Sequence, residues 1–222
     1  MSKKANFDLS KLGLGSGVHI ITAKAKASGY NTSRESEAVS YMVGTEGLNY
    51  ALSTTGDEYV CTGVGSATAT DIVIAPMIDQ IPVTRIAAEA FYECVDIKSV
   101  TIPDSITSIG EAAFSGCRGI TGIVIPDSVT EIGSSAFSNC SALTEIAIPK
   151  SVVSIGSYAF SGCDWLIMVS IPASVTSIGA CAFKNCGALV EVEYLGTAEQ
   201  WDNIEKGNDN TALNDVEIRY VT

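Results

Sequence analysis

The chain has 222 residues, 46% of them hydrophobic and 17% charged, a balance that excludes disorder and leaves ample material for a core. Twenty-five acidic residues against thirteen basic ones give a formal charge of -12, and the resulting field repels phosphate backbones, which argues against a nucleic-acid partner. No apolar run approaches the ~20 residues needed to cross a bilayer, so membrane insertion is not expected.

The chain begins Met1-Ser2-Lys3-Lys4-Ala5-Asn6-Phe7-Asp8, without the apolar core and small-residue cleavage site of an export signal. Two explanations stay open: a mature or trimmed chain, or a protein not exported by a cleaved signal. From Val18 to Ala27, Ala23, Ala25 and Ala27 alternate with Lys24 and Lys26, the period of a half-buried strand. The turn-rich Ser28-Gly29-Tyr30-Asn31-Thr32-Ser33 and a second run, Glu37 to Val43, complete a predicted β-hairpin in residues 1–43. Its wording, Gly17 to Tyr30 and then Ser36 to Tyr41, resembles the last two strands of bacterial immunoglobulin-like or fibronectin-like surface domains. A lone hairpin is marginally stable in water. The segment is therefore expected to dock on the rest of the chain or to form a homo-oligomer by pairing with a second copy.

Residues 44–80 read as short strands, Leu48 to Thr54, Tyr59 to Gly63 and Asp71 to Ile74, punctuated by Thr55-Gly56-Asp57 and Gly63-Val64-Gly65-Ser66. They are expected to cap an array that begins at Ile81. In that array, residues 81–194, Phe91, Phe114, Phe137, Phe160 and Phe183 form one column and Cys94, Cys117, Cys140, Cys163 and Cys186 another, both stepping by 23 residues. Ile-Pro recurs five times, from Ile81-Pro82 to Ile171-Pro172, and the first copy lacks the two residues that read Asp-Ser, Lys-Ser or Ala-Ser in the others. A fixed period of this size means stacked units that close a core only together.

In the third copy, Ile125-Pro126-Asp127-Ser128 ends a strand and turns, because Pro has no ladder donor and Asp-Ser bonds readily to nearby backbone. Val129 to Gly133 is a second short strand whose glycine suits a positive φ. Residues 134–140 are expected to form about one helical turn, and Leu143 to Ile148 is the next strand. Ala87 replaces Gly in the first copy, so its loop is expected to be tighter. Residues 195–222 lose the period and read as a C-terminal cap, with Trp201, Ile204, Leu213, Val216, Ile218 and Tyr220 over the last copy and Asp202, Glu205, Asp209 and Asp215 in water.

The phrase Ile-Pro-x-Ser-Val-Thr-x-Ile-Gly-x-x-Ala-Phe-x-x-Cys-x-x-Leu-x-x-Ile resembles the bacterial surface antigen A (BspA) type of leucine-rich repeat. The lead-in Thr45 to Tyr50 and the exit Tyr194 to Trp201 resemble the flanks of such arrays. The resemblance implies a mainly β leucine-rich-repeat solenoid of about five 23-residue repeats with short helical turns. It also implies an extracellular or cell-surface setting, with adhesion or protein binding as the activity, and it brings no catalytic residues. Phage-associated proteins carry the same repeat, so a virion or appendage component assembled through the hairpin, at the virion surface, is the alternative.

Chemistry is otherwise scarce. His19 is the sole histidine and has no nucleophile near it in sequence, which argues against an enzyme. Neither Gly13-Leu14-Gly15-Ser16-Gly17 nor Gly63-Val64-Gly65-Ser66 completes a phosphate-binding motif. The cysteines of one column point the same way, so they read as small hydrophobes, not disulfides or zinc ligands. Scattered carboxylates make no calcium loop, and no cofactor or metal is expected. Asn31-Thr32-Ser33 is formally a glycosylation sequon.

What individualises the array lies where the copies disagree. The fourth copy places Trp165, Ile167 and Met168 where its neighbours carry mainly small or polar residues, and Glu145 and Glu191 occupy matching positions in the copies on either side. Trp and Met favour interfaces. These five residues are the candidate contacts for a protein or glycoprotein surface, the rival reading being that Trp165 folds over the array edge and is packed there.

Overall fold

The computed structural model describes residues 17–21, 39–214 and 216–221. β1 (Gly17–Ile21) and β2 (Val39–Val43) pair antiparallel, Gly17 opposite Val43 and Ile21 opposite Val39, and within the described residues they pair only with each other. The predicted Ser28 to Ser33 turn, the Lys/Ala alternation and the sequon lie outside the described residues.

The remaining chain winds into a solenoid with two strand-built walls. β3 (Asn49–Leu52) and β4 (Tyr59–Gly63) form a hairpin, and β5 (Asp71–Val73) starts the opposite wall. β6 (Met77–Ile78) folds back on β7 (Ile81–Ile86) through Asp79 and Gln80, both left-handed at φ 49° and 69°. The two residues missing from the first copy thus leave an unbroken six-residue strand, where a tight loop was expected. The following copies supply β8 (Ser99–Thr101), β9 (Ser108–Ile109), β10 (Glu131–Ile132), β11 (Glu145–Ala147), β12 (Ser154–Ile155), β13 (Met168–Pro172), β14 (Ser177–Ile178) and β15 (Glu191–Leu195). After helix α1 (Ala198–Asp202), β16 (Glu205–Lys206) and β17 (Glu217–Tyr220) close the chain.

Seven parallel strands, β4, β7, β9, β10, β12, β14 and β16, build the first wall. β11, β13, β15 and β17 build most of the second, which single bridges extend back toward β8 and β5. Residues 195–222 therefore continue both walls as a further turn. α1 sits in that turn behind a capping box made by Thr197 and Gln200. Trp201, Ile204 and Leu213 are buried as expected, Val216 and Ile218 half-buried, and Tyr220 exposed. Asp202, Glu205 and Asp209 are exposed, while Asp215 lies outside the described residues.

The third side of each turn differs from expectation. Residues 134–140 form no helix: Ser135 and Asn139 are left-handed at φ 57° and 56°. The reason is the destination of the amides. Phe137 N–H donates to Ala159 of the next copy at 2.8 Å, and Phe91, Phe114 and Phe160 do likewise with Ala113, Ala136 and Ala182. Alternate amides bond sideways in this way, so only the intervening ones, such as Ser138 to Ser135 at 3.0 Å, close turns within the copy and no helix propagates. The five phenylalanines stack with centroids 5.1 to 5.5 Å apart and are fully buried, each burial contributing about 1.5–3 kcal/mol.

The cysteines also depart from simple apolar packing. Cys117, Cys140, Cys163 and Cys186 donate their thiols to the carbonyls of Phe91, Phe114, Phe137 and Phe160 at 3.0 to 3.2 Å. All seven cysteines are unbridged. In the Lys-Ser and Ala-Ser turns Ser151 donates to the carbonyl of Val129 and Ser174 to that of Val152 at 2.8 Å, whereas in the Asp-Ser turns the buried hydroxyls of Ser105 and Ser128 make no hydrogen bond among the described residues, against the expectation for Ser128.

Gly133 does not have the positive φ that its position suggested. A Cβ there would lie 2.8 Å from backbone atoms of Gly110 and Glu111, so the glycine column exists for close approach of neighbouring copies. Gly110, Gly156, Gly179 and Gly207 are equally crowded, whereas Gly122 has open space around it. Ala87 belongs to the first copy, where its Cβ is accommodated half-buried.

Two predictions follow from this packing. Gly133→Ala should lower the unfolding free energy by about 1–3 kcal/mol, whereas Gly122→Ala should change it by less than about 1 kcal/mol; equal urea midpoints for the two variants contradict the packing role. Burial raises the thiol of Cys61 from 9.0 to about 11 and those of Cys117 and Cys186 to about 12. A raised thiol value favours the folded state fully below the unfolded value and loses that contribution as pH climbs toward the folded one. The urea midpoint should therefore fall as pH rises from about 9 toward 12, and a Cys117→Ala, Cys186→Ala double variant should show a shallower fall.

Candidate functional site

Side chains alternate along the second wall, so each strand sends one set into the core and the other to the surface. Register then stacks the outward residues into columns. One runs Ser99, Gly122, Glu145, Met168, Glu191 and Glu217, and its neighbour runs Thr101, Val124, Ala147, Ser170, Glu193 and Arg219. Three of the five sequence-predicted contacts, Glu145, Met168 and Glu191, therefore sit on successive rungs of one column.

Trp165 and Ile167 lie just before β13, where the chain enters the wall. Trp165 is 66% exposed and Ile167 47%, so the tryptophan is not packed away over the edge. Ile167 donates its amide to Thr144 at 2.8 Å, and Val190 donates to Ile167 at 3.0 Å, which places Val190 directly above Ile167. Val190 is itself 61% exposed. Trp165, Ile167 and Val190, with half-buried Met168, make an apolar border to the face. Val190 was legible as the next copy's residue in the Ile167 column, but it was not among the five.

Beside this border the wall carries a shallow groove of about 740 Å³. It lies where pairing thins: between β8 and β11 the isolated bridges Thr101 to Val124 and Gly122 to Glu145 stand in place of continuous ladders. Glycine supplies no side chain to pack there and weakens a strand interior. Val124 is left 82% exposed on the floor. Met168, Ser170, Ala147 and Thr101 continue the lining, and Glu145, Glu193 and Asp104 bring carboxylates to it. Trp165 and Ile167 do not line the groove.

The charges on this face have few partners. Arg219 donates from Nε to Glu191 and from Nη2 to Glu193, both at 2.6 Å. Lys150 bonds Asp127 at 2.7 Å, which holds that carboxyl below its ordinary value. Among the described residues, Glu145 and Asp104 make no ion pair. Also among the described residues, no group of three or more His, Cys, Asp or Glu is arranged to hold a metal ion, and no helix is long and apolar enough to cross a membrane.

The BspA-type leucine-rich repeat region matches residues 84–204 in six copies, more than half the chain. The chain belongs to the BspA-type leucine-rich repeat family. The sixth copy reaches beyond Tyr194 into the turn that holds α1, as the continuing walls require. A leucine-rich repeat protein of Treponema pallidum is 32% identical with a TM-score of 0.63, the match covering 74% of this chain and 80% of that one. A leucine rich cell surface protein of Faecalibacterium prausnitzii is 36% identical with a TM-score of 0.66, covering 72% of this chain and 41% of that one. The pneumococcal antigen PcpA shares the fold at 15% identity and a TM-score of 0.57, covering 78% of this chain and 47% of that one. Among curated proteins none matches this chain. Neither the family match nor these structures lend support to a virion role.

The two tryptophans test the description of the border directly. Trp201 is 7% exposed and packs edge-on against Tyr194 at 5.2 Å. Trp165→Phe should therefore remove the red-shifted, acrylamide-quenchable emission and leave a protected, blue-shifted band; quenching unchanged by the substitution contradicts the exposure of Trp165.

Proposed function

We propose that the chain is a non-enzymatic binding protein of the bacterial cell surface, which presents its second wall to a protein or glycoprotein on another cell or particle. Membership of a repeat family that includes a cell-surface relative supports the setting. One observation carries the binding role: Trp165, Ile167 and Val190 stand exposed together at the border of a rigid strand face, although three large apolar side chains gain nothing from water there. Tryptophan is a residue on which interface energy concentrates, and methionine is enriched at interfaces. The wall is held by backbone ladders and a fully buried core, so its side chains are pre-arranged and little ordering cost falls on binding. Glu145 and Glu191 flank Met168 in register and would orient a partner more than they hold it.

Binding of the purified chain to host epithelial cells and to immobilised extracellular-matrix glycoproteins tests this reading. Trp165→Ala with Ile167→Ala should weaken the strongest interaction about 10-fold or more, with thermal stability little changed because both side chains are exposed. Unchanged affinity in the double variant removes the apolar border from the interface.

A further inference from the structure

The groove beside the border is distinct from it in chemistry. Its floor is small and apolar or hydroxylic, with Gly122, Val124, Ala147, Thr101 and Ser170, and no aromatic side chain lines it. Sugar-binding surfaces rely on aromatic platforms, so a glycan finds little purchase. Its carboxylates, Asp104, Glu145 and Glu193, disfavour phosphate and sulfate groups and are not grouped for a metal ion. From β8 to β15 the groove crosses four strand intervals, about 19 Å at ~4.8 Å each, a length that about six extended residues cover at ~3.3 Å per residue.

The face already displays what its carboxylates accept. Arg219 lies in the outward column with Ser170 and Glu193, and its guanidinium forks between Glu191 and Glu193 at 2.6 Å on each side. That is bidentate recognition of a cation across neighbouring strands. Two rungs away Glu145 stands in the same column as Glu191 with Met168 between them, exposed and without a cation among the described residues. Asp104, on the far side of Val124, is exposed and likewise unpaired. Among the described residues, Lys150 is already committed to Asp127. The chain as a whole carries 25 acidic and 13 basic residues, so its general field reinforces the local one.

We infer that the groove over Gly122 and Val124 binds an extended basic segment of a protein partner, whose Lys or Arg side chains meet Glu145 and Asp104 while its small side chains lie over Gly122 and Ala147. The inference rests on the binding role proposed above and names the chemistry of the partner. The segment crosses the strands, and the apolar border with Trp165 contacts the partner beyond it.

The test uses the full chain and fluorescein-labelled peptides of about six to eight residues, the span of the groove in extended form. One peptide alternates Arg with Gly and Ala, a second replaces Arg by neutral citrulline, and a third replaces it by Glu. Anisotropy titrations should show binding of the arginine peptide, about 10-fold weaker binding of the citrulline peptide and none of the acidic one, with affinity falling as salt rises. Glu145→Gln should weaken the arginine peptide about 5-fold or more. Gly122→Trp, at a position with ordinary φ and open space, should fill the floor and abolish binding while melting temperature stays near that of the parent. Arginine-peptide binding unaffected by Gly122→Trp means adsorption to the acidic surface at large and overturns the inference, as does absence of binding. Salt-sensitive self-association that Gly122→Trp removes, without peptide binding, gives the groove to a second copy and also overturns it. Cell or glycoprotein binding lost with Trp165→Ala, Ile167→Ala but retained with Gly122→Trp defeats this inference alone; loss with neither variant defeats both readings.

Discussion

Each phenylalanine amide from Phe91 to Phe160 donates to the alanine carbonyl of the following copy at 2.7 to 2.8 Å, and this sideways bond sets the translation between copies. A fixed step of about one strand spacing then constrains everything else. Phenylalanine rings must stack at 5.1 to 5.5 Å, the residue after each short strand of the first wall must lack a Cβ, and the thiol of one copy must reach the phenylalanine carbonyl of the one before. No column is independent of the others. A copy that changed its step would break all of them at once, which is why the array can vary only on its outward faces.

The repeating columns made the solenoid, its core and the unbridged cysteines readable from the amino-acid order. What the order concealed was the direction of hydrogen bonding. Residues 134–140 look like a helical turn because local propensity is all that a short segment displays, yet the amides of Ser135, Phe137 and Asn139 are committed to the next copy. The same limitation hid the role of Gly133, since a glycine after a strand suits a positive φ and a close backbone approach equally well. The last turn was hidden for another reason. Glu205 pairs with Ser177, a step of 28, and Glu217 with Glu191, a step of 26, so the period fails although the geometry continues. The extra residues make room for α1.

Legibility of the candidate face followed the same division. Departures in size stand out against a repeating background, so Trp165, Ile167 and Met168 were visible, and register explains why Glu145 and Glu191 belong beside them. The groove was not visible, because it is made by an absence. Gly122 removes a side chain, and Val124 gains its exposure from the thinned ladder around it and not from any peculiarity of valine. Searching a repeat for its largest residues finds ridges and overlooks hollows.

The end of the array has a consequence for its size. Phe183 is the last phenylalanine of the stack, and in the turn above it its amide is met by the side-chain carbonyl of Asn210 at 3.0 Å, while the amide nitrogen of Asn210 donates to Gly179 and Gly207 at 2.9 Å. One side chain takes the place of the alanine carbonyl that meets the other phenylalanine amides. The terminator therefore reads only the last unit and is indifferent to how many precede it. Whole 23-residue units can be gained or lost by gene duplication and deletion without redesign of this terminator, so the length of such an array is an evolutionary variable separate from the chemistry it displays.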